Sequence, residues 1–281
     1  MTGSLKKHRQ AVGLLVIAAV LLSSSGLLVK IITWQPLSIL SGRSLLSTVV
    51  FWIFLRKPRL RWTFLQIVGA SGYVLAQLFF VMATKLTTAA NAIFLQYTLP
   101  IYVMIFGYWF LGEKPQRADW MALIVIFSGL FLFFADHLDF NGYYGNIIAI
   151  FSGMAMSVLM LSMRKQKDGS PADTILLGNF MGVAIGLPSL LHEHFSLFSI
   201  GVISYLGIFQ IGLSFVLYSI AIRHVQVLES TLILTLEPVL NPLWVFLVIH
   251  ETPGPMACIG GLMVVGAVTV RAIVSARTAV G

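Results

Sequence analysis

Ten apolar runs of roughly 20 residues leave this chain little freedom in what it can fold into. They cover about 11–29, 36–55, 63–83, 89–111, 118–135, 143–163, 172–191, 198–221, 228–249 and 254–271. As a helix, a run of about 20 residues crosses a hydrocarbon core about 30 Å thick. A helix also satisfies its own backbone hydrogen bonds, which lipid cannot do for it. The expected fold is therefore an all-α integral membrane domain of ten transmembrane helices joined by short loops. Only 10% of the residues are charged, against about 25% in soluble domains. Lys6, Lys7 and Arg9 ahead of the first run resemble the start of a signal peptide. No convincing small-residue cleavage site lies near Ser23–Gly26 and nine further runs follow, so we read the first run as a retained helix.

The net charge of +8 could suggest nucleic acid, but its distribution points elsewhere. Alternate loops hold Lys6, Lys7 and Arg9; Arg56, Lys57, Arg59 and Arg61; Lys114 and Arg117; Arg164, Lys165 and Lys167; Arg223; and Arg271 and Arg277. Those are 15 of the 18 basic residues; Lys30 and Lys85 fall on the other side and Arg43 lies inside a run. The positive-inside rule explains this bias and puts both termini in the cytoplasm, with no role for nucleic acid. Cys258 is the only cysteine, so no intrachain disulfide is available.

The chain repeats itself. Asn91–Pro115 and Glu229–Pro253 are apolar stretches with a central proline and an acidic residue near the end, 138 positions apart. At this offset Pro238 answers Pro100, Glu251 answers Glu113, Pro253 answers Pro115, Gly207 answers Gly69 and Arg223 answers Lys85. Two homologous halves follow, residues 1–140 and 141–281. Five runs per half is an odd number, so the second half enters the membrane from the opposite side. Inverted halves that exchange roles are the structural basis of alternating access, with a substrate path between them near the midplane.

Polar residues inside apolar runs are the candidate site. Arg43 lies about 11 Å deep at 1.5 Å per residue, where a charge calls for a partner or a cavity. Tyr73, Gln77, Phe80 and Thr84 share one helix face, as do Gln210, Ser214 and Tyr218. Pro100 frees the carbonyl of Gln96, Pro238 that of Leu234, and Pro242 that of Pro238, so the fourth and ninth helices should kink. Glu237 is a carboxyl beside such a kink, and Leu99 is its counterpart in the first half. Packing accounts for other features: Gly178, Gly182 and Gly186 for close helix approach, and Ser23–Gly26 for a loosened or tightly packed helix end. Trp34, Trp52, Trp62, Trp109, Trp120 and Trp244 read as interfacial belts.

Enzyme chemistry finds no footing. There is no P-loop for ATP. His192-Glu193-His194 lacks helical zinc-ligand spacing and reads as a solvated loop. Gly69-Ala70-Ser71-Gly72 resembles the serine motif of rhomboid-type proteases, but no histidine lies deep in a run to serve as its base.

Leu111-Gly112-Glu113-Lys114-Pro115, Leu236-Glu237-Pro238, Arg43 and the paired prolines together resemble the drug/metabolite transporter superfamily, EamA type. The resemblance covers residues 11–271 and is strongest to the bacterial aromatic amino-acid exporter branch. His250, where the first half has Gly112, departs from the pattern. The resemblance implies ten helices in two inverted five-helix repeats and a multi-pass protein of the bacterial inner membrane. It implies a secondary exporter of aromatic and other apolar amino acids, without cofactor or metal. Helices 3, 4, 8 and 9 would line the cavity, 1 and 6 would flank it, and 5 and 10 would be peripheral. An exporter of another metabolite or a cationic drug is the alternative. Arg43 would attract the substrate carboxylate, and Glu237 would pair with its ammonium or carry a coupling proton. Tyr73, Phe80, Phe94, Tyr97 and Tyr218 would form an apolar wall. Gln77, Gln96, Gln210, Ser214 and Thr235 would offer hydrogen bonds, and Pro100 and Pro238 would act as kinks or gates.

Overall fold

The computed structural model describes residues 2–58, 60–135, 142–240 and 254–278, without the side chains of 2–5, 27 and 276–278. Arg59, Pro242, Trp244, His250, Glu251 and Pro253 lie outside the described residues, as does the side chain of Arg277. Among the described residues every regular element is helical, and eight helices are long and apolar enough to cross a bilayer.

Helix starts follow local chemistry. Pro36 opens α3 (Pro36–Leu55), where its missing N–H costs nothing. Thr63 Oγ1 accepts from Gln66 N to cap α4 (Phe64–Leu86). Thr88 Oγ1 accepts from Asn91 N to cap the short α5 (Ala89–Gln96). Its continuation, α6 (Leu99–Leu111), ends on Gly112 at φ +70°, a left-handed geometry that favours glycine. In α7 (Arg117–Phe134) the Asp119 carboxylate accepts from Gln116 N at 2.6 Å, closing a capping box. Then come α8 (Tyr143–Lys165), α9 (Pro171–Leu190) and α10 (Leu197–Tyr205). A π-helical segment, Leu206–Leu213, joins α10 to α11 (Ser214–Ala221). The chain closes with α12 (Val227–Leu234), a helical stretch over 236–240 and α13 (Pro255–Thr278).

The first expected span is not one helix. α1 (Thr2–Leu22) stops at Ser23-Ser24 and α2 (Ser25–Ile31) resumes. Ser23 and Ser24 hydroxyls donate back to the carbonyls of Val20 and Leu21, competing with the helical ladder. The fourth span breaks at Tyr97-Thr98 and the ninth at Thr235. α5 and α12 stand 138 positions apart at both ends.

α4 packs on α8 and α9, α3 on α9, and α7 on α13, while α1 lies against α11. Glycines allow these approaches. Gly178 on α9 faces the ring of Tyr73, and Gly182 faces Ser44.

Pairs at the two ends of the bundle tie the helices together. At the end carrying most basic loops, Glu113 at the close of α6 accepts from Arg164 Nε at 2.6 Å and from Val227 N at 2.9 Å. Arg271 on α13 donates to Asp119 on α7 at 2.5 Å, and both are buried. His8 on α1 lies 3.2 Å from both carboxylate oxygens of Glu229 on α12. At the opposite end, Lys30 donates to the carbonyls of Thr84 and Thr87, and Lys85 to that of Ile32.

One local expectation needs correction there. Trp34 is not at a lipid interface: it is buried, stacked edge-on against Phe195 at 5.2 Å, and donates to the carbonyl of His194. Trp52, Trp62, Trp109 and Trp120 are exposed. The His192–His194 loop is solvent-exposed as expected, and its Glu193 carboxylate accepts from Gln35 N at 2.7 Å. Among the described residues no cluster of His, Cys, Asp or Glu could hold a metal.

Candidate functional site

Three broken helices and the π-helical segment meet around one interior cavity. Leu22 and Ser25 reach it from either side of the α1–α2 break, and Gln96, Tyr97 and Leu99 from the α5–α6 break. Leu234 and Glu237 come from the break after α12. Gln77 and Phe80 of α4, Met156 and Met160 of α8, and Gln210, Ser214, Phe215 and Tyr218 complete the wall. Its volume is about 40 Å³, where one water needs about 10–15 Å³ on this measure. The cavity is therefore small: it has room for a few waters, and a larger guest requires helix or side-chain movement.

Why the breaks sit there follows from the prolines and a glycine. Pro100 stands in the first turn of α6 and cannot donate to the Gln96 carbonyl. That carbonyl instead faces Gly153 on α8, where a Cβ would come within 2.5 Å of it. In the ninth span Pro238 leaves the Leu234 carbonyl without its i+4 donor. The hydroxyl of Tyr97 fills the vacancy at 2.9 Å and lies 2.6 Å from Glu237 Oε2. A residue at the break in one half thus caps the break in the other. Thr235 donates locally to Leu232 O.

Polar side chains around the cavity are pinned from behind. Gln96 Nε2 donates to Ser152 Oγ at 2.7 Å, and Ser152 in turn to Ala76 O. Ser230 Oγ donates to Val227 O, so Tyr218 supplies the hydrogen in its 3.2 Å contact with Ser230. Gln210 Oε1 is buried with no partner among the described residues. It sits on the π-helical segment, where Ser214 Oγ reaches the Phe209 carbonyl five residues back. Gly207 lets that segment press onto α3, since a Cβ there would meet Arg43 O at 2.9 Å.

Arg43 stands one layer behind the wall. It is 2% exposed, and its Nη2 donates to Gln77 Oε1 at 3.0 Å. Nε and Nη1 have no hydrogen-bond partner among the described residues. Among the described residues no carboxylate neutralises it, which is costly for a guanidinium removed from water.

Of the twelve residues expected to face substrate, Gln77, Phe80, Gln96, Tyr97, Gln210, Ser214, Tyr218 and Glu237 line this cavity. Four are elsewhere. Arg43 is behind Gln77. Tyr73 donates to Asn179 Oδ1 at 2.7 Å, and Asn179 donates to Ser47. Phe94 packs edge-on against Phe134. Thr235 sits at the break itself. The tyrosine one helix turn before Gln77 falls outside because Gly178 draws it against α9. Sequence reasoning missed Leu22, Ser25, Leu99, Met156, Met160, Phe215 and Leu234. Ser25 had a signal in the serine cluster of the first span. Met156 and Met160 had only a four-residue spacing among other apolar residues.

The basic end of the bundle is sealed beneath the cavity. The Glu113–Arg164 pair, Val227 N and the Ile222 carbonyl, which accepts from Arg164 Nη1 at 2.8 Å, join α6, α8, α11 and α12. The hydrogen bond to Glu229 holds the His8 imidazole above its usual pKa, against burial and the nearby Arg271.

The EamA-like transporter family profile matches this chain twice, over residues 9–135 and 143–272. An uncharacterized transporter of Archaeoglobus fulgidus is 27% identical over 195 residues, 68% of this chain and 70% of the relative. A second from the same organism is 23% identical over 254 residues, covering 83% and 86%. A solved crystal structure superimposes with a TM-score of 0.79 at 19% identity, over 94% of this chain and 98% of that one, and shares its fold. Two consecutive profile matches across nearly the whole chain, on a bundle of apolar helices broken around an interior cavity, make this a multi-pass membrane transporter that belongs to the EamA-like transporter family.

Proposed function

We propose that the chain is a secondary exporter of amphipathic amino acids, aromatic and other apolar ones among them, working by alternating access in the bacterial inner membrane. The carrying observation is the composition of the cavity. Glu237 is the only carboxyl among its described lining residues, set among Phe80, Phe215, Met156, Met160 and Leu99 with three glutamine amides. A substrate with one ammonium, a hydrogen-bonding head and an apolar body matches that wall. Glu237 would take the ammonium or exchange it for a coupling proton. The carboxylate would lie at Gln77, whose amide is polarised by Arg43 behind it. The 138-residue offset shared by α5 and α12 supports two inverted halves, residues 1–140 and 141–281, with the basic end and both termini cytoplasmic. The substrate would then leave from the end opposite the Glu113–Arg164 seal.

One observation favours a second reading. Because Arg43 stands behind Gln77, the cavity presents a carboxyl and no cation of its own among the described residues. An amphipathic amine lacking a carboxylate fits that electrostatics too. Counterflow in proteoliposomes, with labelled phenylalanine, leucine and phenethylamine, separates the readings. Saturable exchange of the amino acids that falls at least tenfold in Glu237→Gln supports the first. Exchange of the amine alone supports the second. Exchange unaffected by Glu237→Gln removes Glu237 from the mechanism.

A further inference from the structure

Three oxygens and one hydrogen meet where the two broken spans touch. Tyr97 Oη is 2.9 Å from the Leu234 carbonyl and 2.6 Å from Glu237 Oε2. A phenol has one hydrogen to give. The Leu234 carbonyl can only accept, and Pro238 provides no N–H at i+4. If Tyr97 donates to Leu234 O, the 2.6 Å contact to Glu237 needs a hydrogen on the carboxyl. A neutral carboxyl provides it, giving the chain Glu237 O–H to Tyr97 Oη, and Tyr97 O–H to Leu234 O, with every contact satisfied. An ionised carboxylate cannot: it takes the Tyr97 hydrogen, since charge-assisted bonds are roughly twice as strong as neutral ones, and the Leu234 carbonyl goes without.

We infer that the single hydroxyl hydrogen of Tyr97 is a coupling element of transport, capping the ninth-span break while Glu237 is protonated and leaving it when Glu237 ionises. This rests on the reading that the cavity is the transport site. The steps balance. An ammonium entering the cavity pairs with Glu237, the carboxyl proton leaves to the water that admitted the ammonium, and the Tyr97 hydroxyl rotates from Leu234 O to the carboxylate. The uncapped carbonyl then frees the break after α12 to change its angle. Release of the cation on the far side, with a proton from that side, restores the cap. Tyr97 belongs to the fourth span and Leu234 to the ninth, so one hydrogen reports the state of the site to both broken helices. The other titratable group on this wall is Tyr218, held by Ser230. Arg43 acts from behind Gln77, and the His8–Glu229, Asp119–Arg271 and Glu113–Arg164 groups sit at the basic end. Tyr97 is a positioning residue in this scheme and Glu237 the group that meets the cation.

The test needs no transported compound, so an error in the substrate assignment leaves its outcome unchanged. Infrared spectra of the full chain in lipid nanodiscs are recorded between about pH 5 and pH 9, a window spanning perturbed carboxyls. The expected wild-type result is a protonated-carboxyl stretch that disappears with rising pH and is absent from Glu237→Gln. The Tyr97 C–O stretch, isolated by subtracting Tyr97→Phe, shifts over the same pH interval. In Glu237→Gln that shift is lost. The carboxyl band moves to higher wavenumber in Tyr97→Phe, which has no oxygen to accept from it. Should Tyr97→Phe fail to fold, ring-deuterated tyrosine in wild type and Glu237→Gln gives the same comparison. A tyrosine band that stays still while the carboxyl titrates overturns the coupling. A wild-type spectrum without a Glu237 carboxyl band at the acid end overturns the hydrogen count.

Discussion

Asp119 sits among apolar neighbours at the start of α7, yet it should be among the residues that matter most to stability. Its Oδ1 takes Arg271 Nε at 2.5 Å, its Oδ2 takes Gln116 N at 2.6 Å, and the two side chains are 2% and 3% exposed. Asp119→Asn keeps an acceptor for the helix cap and removes only the charge. Arg271, whose Nη1 already has no described partner, is then a buried cation without a counterion. Breaking such a pair costs about 3–5 kcal/mol. At about 2–4 °C per kcal/mol, taken from soluble chains of somewhat smaller size, this is on the order of 10 °C in melting temperature. The assay is the fraction of monodisperse protein surviving a temperature series in detergent. Adding Arg271→Met to Asp119→Leu removes both charges, and replacing a whole buried pair by apolar groups is close to neutral. The cap is lost in that variant, at about 0.5–2 kcal/mol. The double variant should therefore melt well above Asp119→Asn and slightly below wild type. If Asp119→Asn melts within 2 °C of wild type, or the double variant melts lower than the single, the pair is not what fastens α13 to α7.

Gly153→Val drives a Cβ to within 2.5 Å of the Gln96 carbonyl; we expect overpacking of about 1–3 kcal/mol at the fourth-span break and counterflow below a tenth of wild type, with Gly153→Ala in between. Glu113→Gln weakens the hold on Arg164 and Val227 N, so a cysteine placed at Gln226 in a Cys258→Ala background should react several-fold faster with an impermeant thiol reagent added at the basic end. His8 binds a proton more tightly folded than unfolded because Glu229 accepts its hydrogen bond. The stability it contributes is present below its unfolded pKa, about 6.5, and is lost as pH rises through the raised folded value. His8→Gln should flatten that part of the melting-temperature profile against pH.

Much of the architecture was legible without coordinates. Segments of about 20 apolar residues have few options in lipid, and the prolines at 100 and 238 mark the two breaks because a residue without N–H cannot continue the ladder. The offset of 138 seen in those prolines returns in the limits of α5 and α12. Glu237, Tyr97, Gln77 and Gln210 stood out as polar groups in apolar runs, and all four line the cavity. The first-span break was less legible, because a serine cluster reads more readily as packing until Ser23 and Ser24 are seen bonding their own helix.

What the sequence by itself determined is where the backbone can be helical and where it must be interrupted, since those depend on local hydrogen bonding. Which faces meet was decided only in three dimensions. In a membrane helix the lipid-facing and protein-facing sides are both apolar, so periodicity separates them poorly. Small residues then set the register. Gly178 draws Tyr73 away from the cavity toward α9, and Gly207 presses the π-helical segment onto the backbone of Arg43. Arg43 lies behind Gln77 instead of facing the cavity. The meeting of Tyr97 with Leu234 and Glu237 likewise joins residues about 140 positions apart, and no local pattern encodes a contact made by packing one half of the chain against the other.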